Sequence, residues 1–144
     1  MIEHHNTLME FNMLYKEMDE LYHSVALKLG LSDSAFFILY ALYMQGDGCL
    51  QRDICDTFCL SRQTVNSSIK KLEQEDYLSL HQGNGRDKYI HITPKGRQFL
   101  DKKIHPVVEM EKQAFSRMAE TESRRLLKLL NKYLQNLKNL SREL

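Results

Sequence analysis

The stretch Asp53–Glu75, DICDTFCLSRQTVNSSIKKLEQE, decides the fold. It reads as two short helices joined by a tight turn. Ile54 and Phe58 lie four apart on the first helix and pack inward. Cys55 precedes Val65 by ten residues and supplies the small side chain needed where two helices cross closely. Cys59 falls at the turn, where glycine is common in such motifs and a cysteine must adopt a backbone angle it tolerates. The second helix opens at Ser61, whose hydroxyl can accept an orphan backbone N–H. Val65, Ile69 and Leu72 recur on it at helical spacing and form one buried stripe. Its other faces carry Arg62, Gln63, Thr64, Asn66, Ser67 and Lys70. Guanidinium forks, amides and hydroxyls match base edges in a DNA major groove, and cations match phosphates. No carboxylate falls between Ser61 and Leu72 to repel a phosphate backbone. The plainer alternative is a helical hairpin with a solvated face.

The residues that follow favour the first reading. Tyr77-Leu78-Ser79-Leu80-His81 alternates apolar and polar, as does Lys88-Tyr89-Ile90-His91-Ile92, and the turn cluster Gly83-Asn84-Gly85 lies between them. Thr93-Pro94 then starts a helix, with Thr as cap and Pro at its first position. Two helices followed by a hairpin make a winged helix-turn-helix. The hairpin tip carries Arg86 and Lys88, long cations able to reach an adjacent minor groove.

With these segments in place, the chain resembles the MarR-type transcriptional regulators. Leu31-Ser32-Asp33-Ser34-Ala35-Phe36-Phe37-Ile38-Leu39 is similar to the family's lead into its second helix. Leu60-Ser61-Arg62-Gln63-Thr64-Val65 and Lys71-Leu72-Glu73 resemble the two ends of its recognition helix, and Ile92-Thr93-Pro94-Lys95-Gly96 its exit from the wing. The resemblance covers nearly the whole chain. It implies a mainly α fold (α+β winged helix-turn-helix) of about six helices with a small antiparallel wing hairpin. It also implies a homodimer joined through its terminal helices, double-stranded DNA as partner, and a repressor released by a small aromatic or anionic effector. The family's wing usually carries Asp-x-Arg, with the Asp orienting the Arg; here those positions are Asn84 and Arg86. Asp87 is the neighbouring carboxylate that could take over that orienting role.

A length of 144 residues suits one module, residues 1–144, in which 31–97 form the winged region and 1–30 with 98–144 a helical dimerisation region. Formal net charge is only +1, but it is unevenly spread. Residues 1–49 hold two Lys/Arg against seven Asp/Glu, residues 50–97 eight against six, and residues 98–144 ten against six. The acidic N-terminal third is therefore not the DNA face. Three clustered cysteines, Cys49, Cys55 and Cys59, do not make a disulfide framework and suit a reducing cytoplasm. The polar, acidic start Met1-Ile2-Glu3-His4-His5 is unlike a signal peptide, and no run of eighteen apolar residues is present to span a membrane.

From about Asn6 to Leu29, apolar residues recur at mixed three and four spacings, a stripe too wide for a helix with one neighbour. Gly30 stops this helix, Ser32 caps the next, and Cys49-Leu50 is placed to add a short strand to the wing. After Pro94 a long helical stretch contains Pro106, which predicts a kink or break near His105. Thr121 is expected to cap the last helix, with Glu122 in its first turn. Leu126, Leu127, Leu129, Leu130, Tyr133, Leu134, Leu137 and Leu140 follow, too apolar for a free arm. An interlocked symmetric dimer accounts for them, and it sets two recognition helices about 34 Å apart on a palindromic operator.

The resemblance makes Tyr15, Tyr22, His23, Phe36, Tyr40 and Met44 candidates to line an effector cleft, although an aromatic and Met stripe is more often core. A thiol-based redox-responsive regulator is the rival, but peroxide-sensing members of the family use a first-helix cysteine and none precedes Cys49 here, which favours structural thiols. No His or Cys pair has metal-ligand spacing, although His81 and His91 face each other across the wing strands. No cofactor is implied, and no phosphate loop, nucleophile elbow or hydrolase motif argues for an enzyme. The other class left open is a winged-helix protein–protein interaction module without DNA binding.

Overall fold

The computed structural model describes residues 2–144, with side chains from residue 4 onward. The chain divides into two compact units, residues 1–105 and 106–144.

The first unit opens with α1 (Ile2–Lys28), followed by α2 (Asp33–Gln45), β1 (Cys49–Leu50), α3 (Gln51–Phe58) and α4 (Arg62–Gln74). The strands β2 (Leu78–Gln82) and β3 (Lys88–Ile92) and the helix α5 (Pro94–Phe99) come next, and then a π-helical turn over Leu100–Ile104. The sheet is antiparallel in the order β1-β3-β2. Leu80 pairs with Ile90 in the hairpin, and Leu50 with Tyr89 on the outer side, so Cys49-Leu50 does join the wing.

Helix ends follow from local chemistry. Ser32, Ser61 and Thr93 each accept a backbone N–H three residues on, from Ala35, Thr64 and Gly96 at 3.2, 3.1 and 3.0 Å. Helix α1 ends in a left-handed residue, Gly30 at φ +73°, with the Leu31 N–H donating to the Ala26 carbonyl at 2.9 Å. The same closure ends α3 and α4 without glycine. Cys59 takes φ +51° while Leu60 N–H reaches the Cys55 carbonyl, and Asp76 takes φ +63° while Tyr77 N–H reaches that of Leu72. Gly96 has a different task. A Cβ there would lie 1.9 Å from the Tyr77 carbonyl oxygen, so α5 can close on the end of α4 only with a hydrogen at that position.

The core of this unit is built from α2, α3, α4, the sheet and the π turn. Phe36, Ile38, Leu39, Leu42, Ile54, Val65, Ile69, Leu72, Leu78, Ile90, Leu100 and Ile104 are each 1% exposed or less. Phe58 stacks on Phe37 and Tyr40, and Ser34 on α2 shares a 2.6 Å hydrogen bond with Ser68 on α4.

The second unit comprises α6 (His105–Ser116) from its second residue, Pro106, onward, and α7 (Glu120–Ser141). The disruption expected from Pro106 takes a specific form. Helix continues from residue 94 to 116, but the bonding register widens to π over Leu100–Ile104, where His105 N–H donates to the Leu100 carbonyl. Proline has no N–H to give and its ring crowds the carbonyl four residues back, so a wider turn just before it relieves both problems. With residues 94–116 counted as one continuous helix, six helices are present among the described residues. The cap of α7 is not Thr121 but Ala119, whose backbone N–H donates to the Glu122 carboxylate at 2.9 Å. Alanine has no side-chain acceptor, so the reaching-back Glu supplies the stabilisation alone. No single helix among the described residues is long and apolar enough to cross a membrane.

Candidate nucleic-acid interface

Helix α4 turns Val65, Ile69 and Leu72 inward and leaves Arg62, Gln63, Asn66, Ser67 and Lys70 exposed. Ser61 has its own task, since its hydroxyl caps Thr64 N–H and donates to Thr64 Oγ1 at 2.8 Å. Both hydroxyls are thus partly committed to holding the first turn. Beside α4, a groove of about 440 Å³ is lined by Leu50, Gln51, Arg52, Cys55, Arg62, Asn66, Arg86, Asp87 and Lys88. Four cations from three elements therefore surround one concavity that holds a single carboxylate. The recognition-helix candidates Arg62 and Asn66 and the wing candidates Arg86 and Lys88 meet there.

Asp87 does not substitute for the orienting wing acid at this groove. The Asp87 carboxylate pairs with Arg52 Nη1 at 3.4 Å, rather than with its neighbour Arg86. Adjacent residues at the hairpin tip project differently, and strand β1 brings the start of α3 up to Asp87 through the Leu50–Tyr89 pairing. Arg52 and Gln51, the latter donating its side-chain amide to Asn66, were not among the sequence candidates. A signal was available for Arg52: a cation in the first turn of a helix opposes the helix dipole and calls for a carboxylate partner.

The wing is braced at its base. Asp47 accepts the Ile92 N–H at 2.7 Å and lies 3.6 Å from His91 Nδ1. That backbone hydrogen bond, helped by His91, holds the Asp47 carboxyl below the usual carboxylate range. His81 and His91 stack edge to face at 4.5 Å, with His81 Nε2 3.0 Å from the Ser79 hydroxyl. Among the described residues no three His, Cys, Asp or Glu side chains are grouped to hold a metal ion.

The family model described as MarR family matches residues 29–88. A Bacillus subtilis protein, the uncharacterized HTH-type transcriptional regulator YkoM, is 32% identical over 127 residues, covering 85% of this chain and 80% of its own. The chain belongs to the MarR family of transcriptional regulators.

Other members of the MarR family share the architecture. The Staphylococcus aureus regulator MepR, in a complex with DNA, superposes with a TM-score of 0.70 at 25% identity, over 90% of this chain and 96% of that one. The MarR family regulator NMB1585 from Neisseria meningitidis reaches 0.83 at 18% identity, over 95% and 97%, which speaks to fold alone. These relatives are transcriptional regulators and not enzymes.

The residues considered for an effector cleft are scattered in environment. Phe36 is buried, with the rings of Tyr22 and Tyr40 at 6.4 and 6.0 Å. His23 is tied to Asp33 at 2.8 Å, and Tyr15 and Met44 are exposed. Of the thiols, Cys55 is buried, Cys49 half-buried and Cys59 exposed. Burial pushes the Cys49 and Cys55 thiols up, away from the reactive thiolate.

Proposed function

We propose that this MarR-family regulator binds duplex DNA as a homodimer, with α4 in the major groove and Arg86 and Lys88 of the wing over the neighbouring minor groove. The observation that carries the reading is the groove in which Arg62 and Asn66 meet Arg86 and Lys88. A surface of this kind attracts phosphates through its cations and discriminates bases through Gln63 and Asn66. The DNA complex of MepR supports the reading by likeness. Dimerisation is supported by the apolar surface of α7, none of whose residues is buried in the isolated chain. Two copies related by a dyad would place their recognition helices about 34 Å apart, on a palindromic operator. The dimer acts in the cytoplasm as a repressor, released by a small aromatic or anionic effector. Tyr22, Phe36 and Tyr40 are the core of the proposed effector site, and Tyr15, His23 and Met44 complete the candidate set. A thiol switch is the weaker reading, because burial disfavours the thiolate at Cys49 and Cys55.

Selection of bound duplexes from a random pool, followed by competition with phenolic acids and oxidants, tests this directly. Arg86→Ala should weaken binding to every duplex and lower the salt slope by about one. Gln63→Ala should instead change preference between sequences, by roughly 1–3 kcal/mol at the base it reads. Binding that ignores salt, or is unmoved by both substitutions, would refute the assignment.

A further inference from the structure

The first turn of α3 touches both halves of the interface. Gln51 hydrogen-bonds Asn66 on α4, and Arg52, the next residue, pairs with Asp87 in the wing turn. Asp87 also closes that turn through its backbone. Its N–H donates to the Asn84 carbonyl at 3.1 Å, and its carbonyl accepts the Gly83 N–H at 2.9 Å. The acid stands between Arg86 and Lys88, where an unpaired negative charge would repel the phosphates those cations are to meet. Arg52 lies on the helix side of the same groove, and its dipole-opposed position needs a carboxylate as much as Asp87 needs a cation.

We infer that Arg52 is a positioning residue for the wing: through Asp87 it ties the wing turn to α3 and offsets the acid's charge, leaving Arg86 free for DNA. Two observations support the pairing. No carboxylate pairs with Arg86 among the described residues, and the register of β1 on β3 brings Arg52 and Asp87 together. The role in DNA contact rests on the function proposed above, whereas the tie to the wing does not.

The test is amide exchange at Gly83 and Asp87 in the DNA-free protein. Arg52→Ala and Asp87→Ala should each speed exchange at both amides, by up to about fivefold for an exposed ion pair. The charge-swapped double variant Arg52→Glu/Asp87→Arg should return exchange towards the wild-type rate. On the selected operator, Arg52→Ala should lose wing protection in a footprint while α4 protection persists. Unchanged exchange in Arg52→Ala, or a swap no slower than the single variants, would overturn the assignment. Because exchange is read without DNA, a failure of the tie is distinguishable from a failure of the wild type to bind a duplex.

Discussion

Helices α4 and α7 are both amphipathic, but they finish their packing in different places. Helix α4, 13 residues long, holds Val65, Ile69 and Leu72 at 1% exposure or less. Helix α7, 22 residues long, leaves Leu126, Leu127, Leu129, Leu130, Tyr133, Leu134, Leu137 and Leu140 between 37% and 61% exposed. The apolar side of α4 is satisfied within its own chain, so its polar side is what remains to do work. The apolar side of α7 is unsatisfied in one chain, and covering it is itself the work left to do.

The largest effect should come from charging that uncovered side. In the proposed dimer, Leu130→Asp/Leu134→Asp should raise the dissociation constant by about a hundredfold or more, because each of these leucines, already more than half covered in one chain, still contributes roughly 0.7 kcal/mol or more, and symmetry doubles the loss. Sedimentation velocity across a dilution series checks this. A doubly charged α7 that still sediments like the parent would erase the contrast with α4.

Next comes the satisfied side. Ile69→Ala should cost about 2–5 kcal/mol in urea unfolding, since the site is closed on all sides and cannot collapse freely. A loss below about 1 kcal/mol would mean that α4 is no better packed than α7. A smaller change should follow Ser61→Ala, about 1 kcal/mol in the same assay, through loss of the Thr64 N–H acceptor at the start of α4.

The smallest concerns the brace under the wing. The Asp47 carboxyl is held low in the folded state, so the folded protein binds its proton less readily than the unfolded chain does. Its contribution is therefore complete above the ordinary aspartate value, about 3.9, and is lost as pH falls through the lower folded-state value. Asp47→Asn should be less stable than the parent at pH 6, with the gap closing below about pH 4. A gap that stays constant across this range would show that the carboxylate's charge plays no part in holding β3.

Much of the fold was legible along the chain because its signals are short-ranged. Caps at Ser32, Ser61 and Thr93 act over three residues, and the stripe of Val65, Ile69 and Leu72 repeats over one or two turns. The cap of α7 was misplaced at Thr121 because the usual cue is a side-chain acceptor, and Ala119 has none. The partner of the wing acid Asp87 was not legible for a related reason. Sequence neighbours are visible in a linear reading, whereas a partner supplied by a helix more than thirty residues away is not.

Composition, spacing and turn chemistry by themselves determined a winged helix-turn-helix with a cationic, amide-bearing second helix, because each of those features is set by residues within a turn or two of one another. Only the tertiary structure decided that Arg52 holds Asp87, that Gln51 meets Asn66, and that the strain at Pro106 is absorbed as a π turn. Each depends on the register of elements far apart in the chain or on how a helix redistributes its hydrogen bonds, and neither is encoded in any short window of residues.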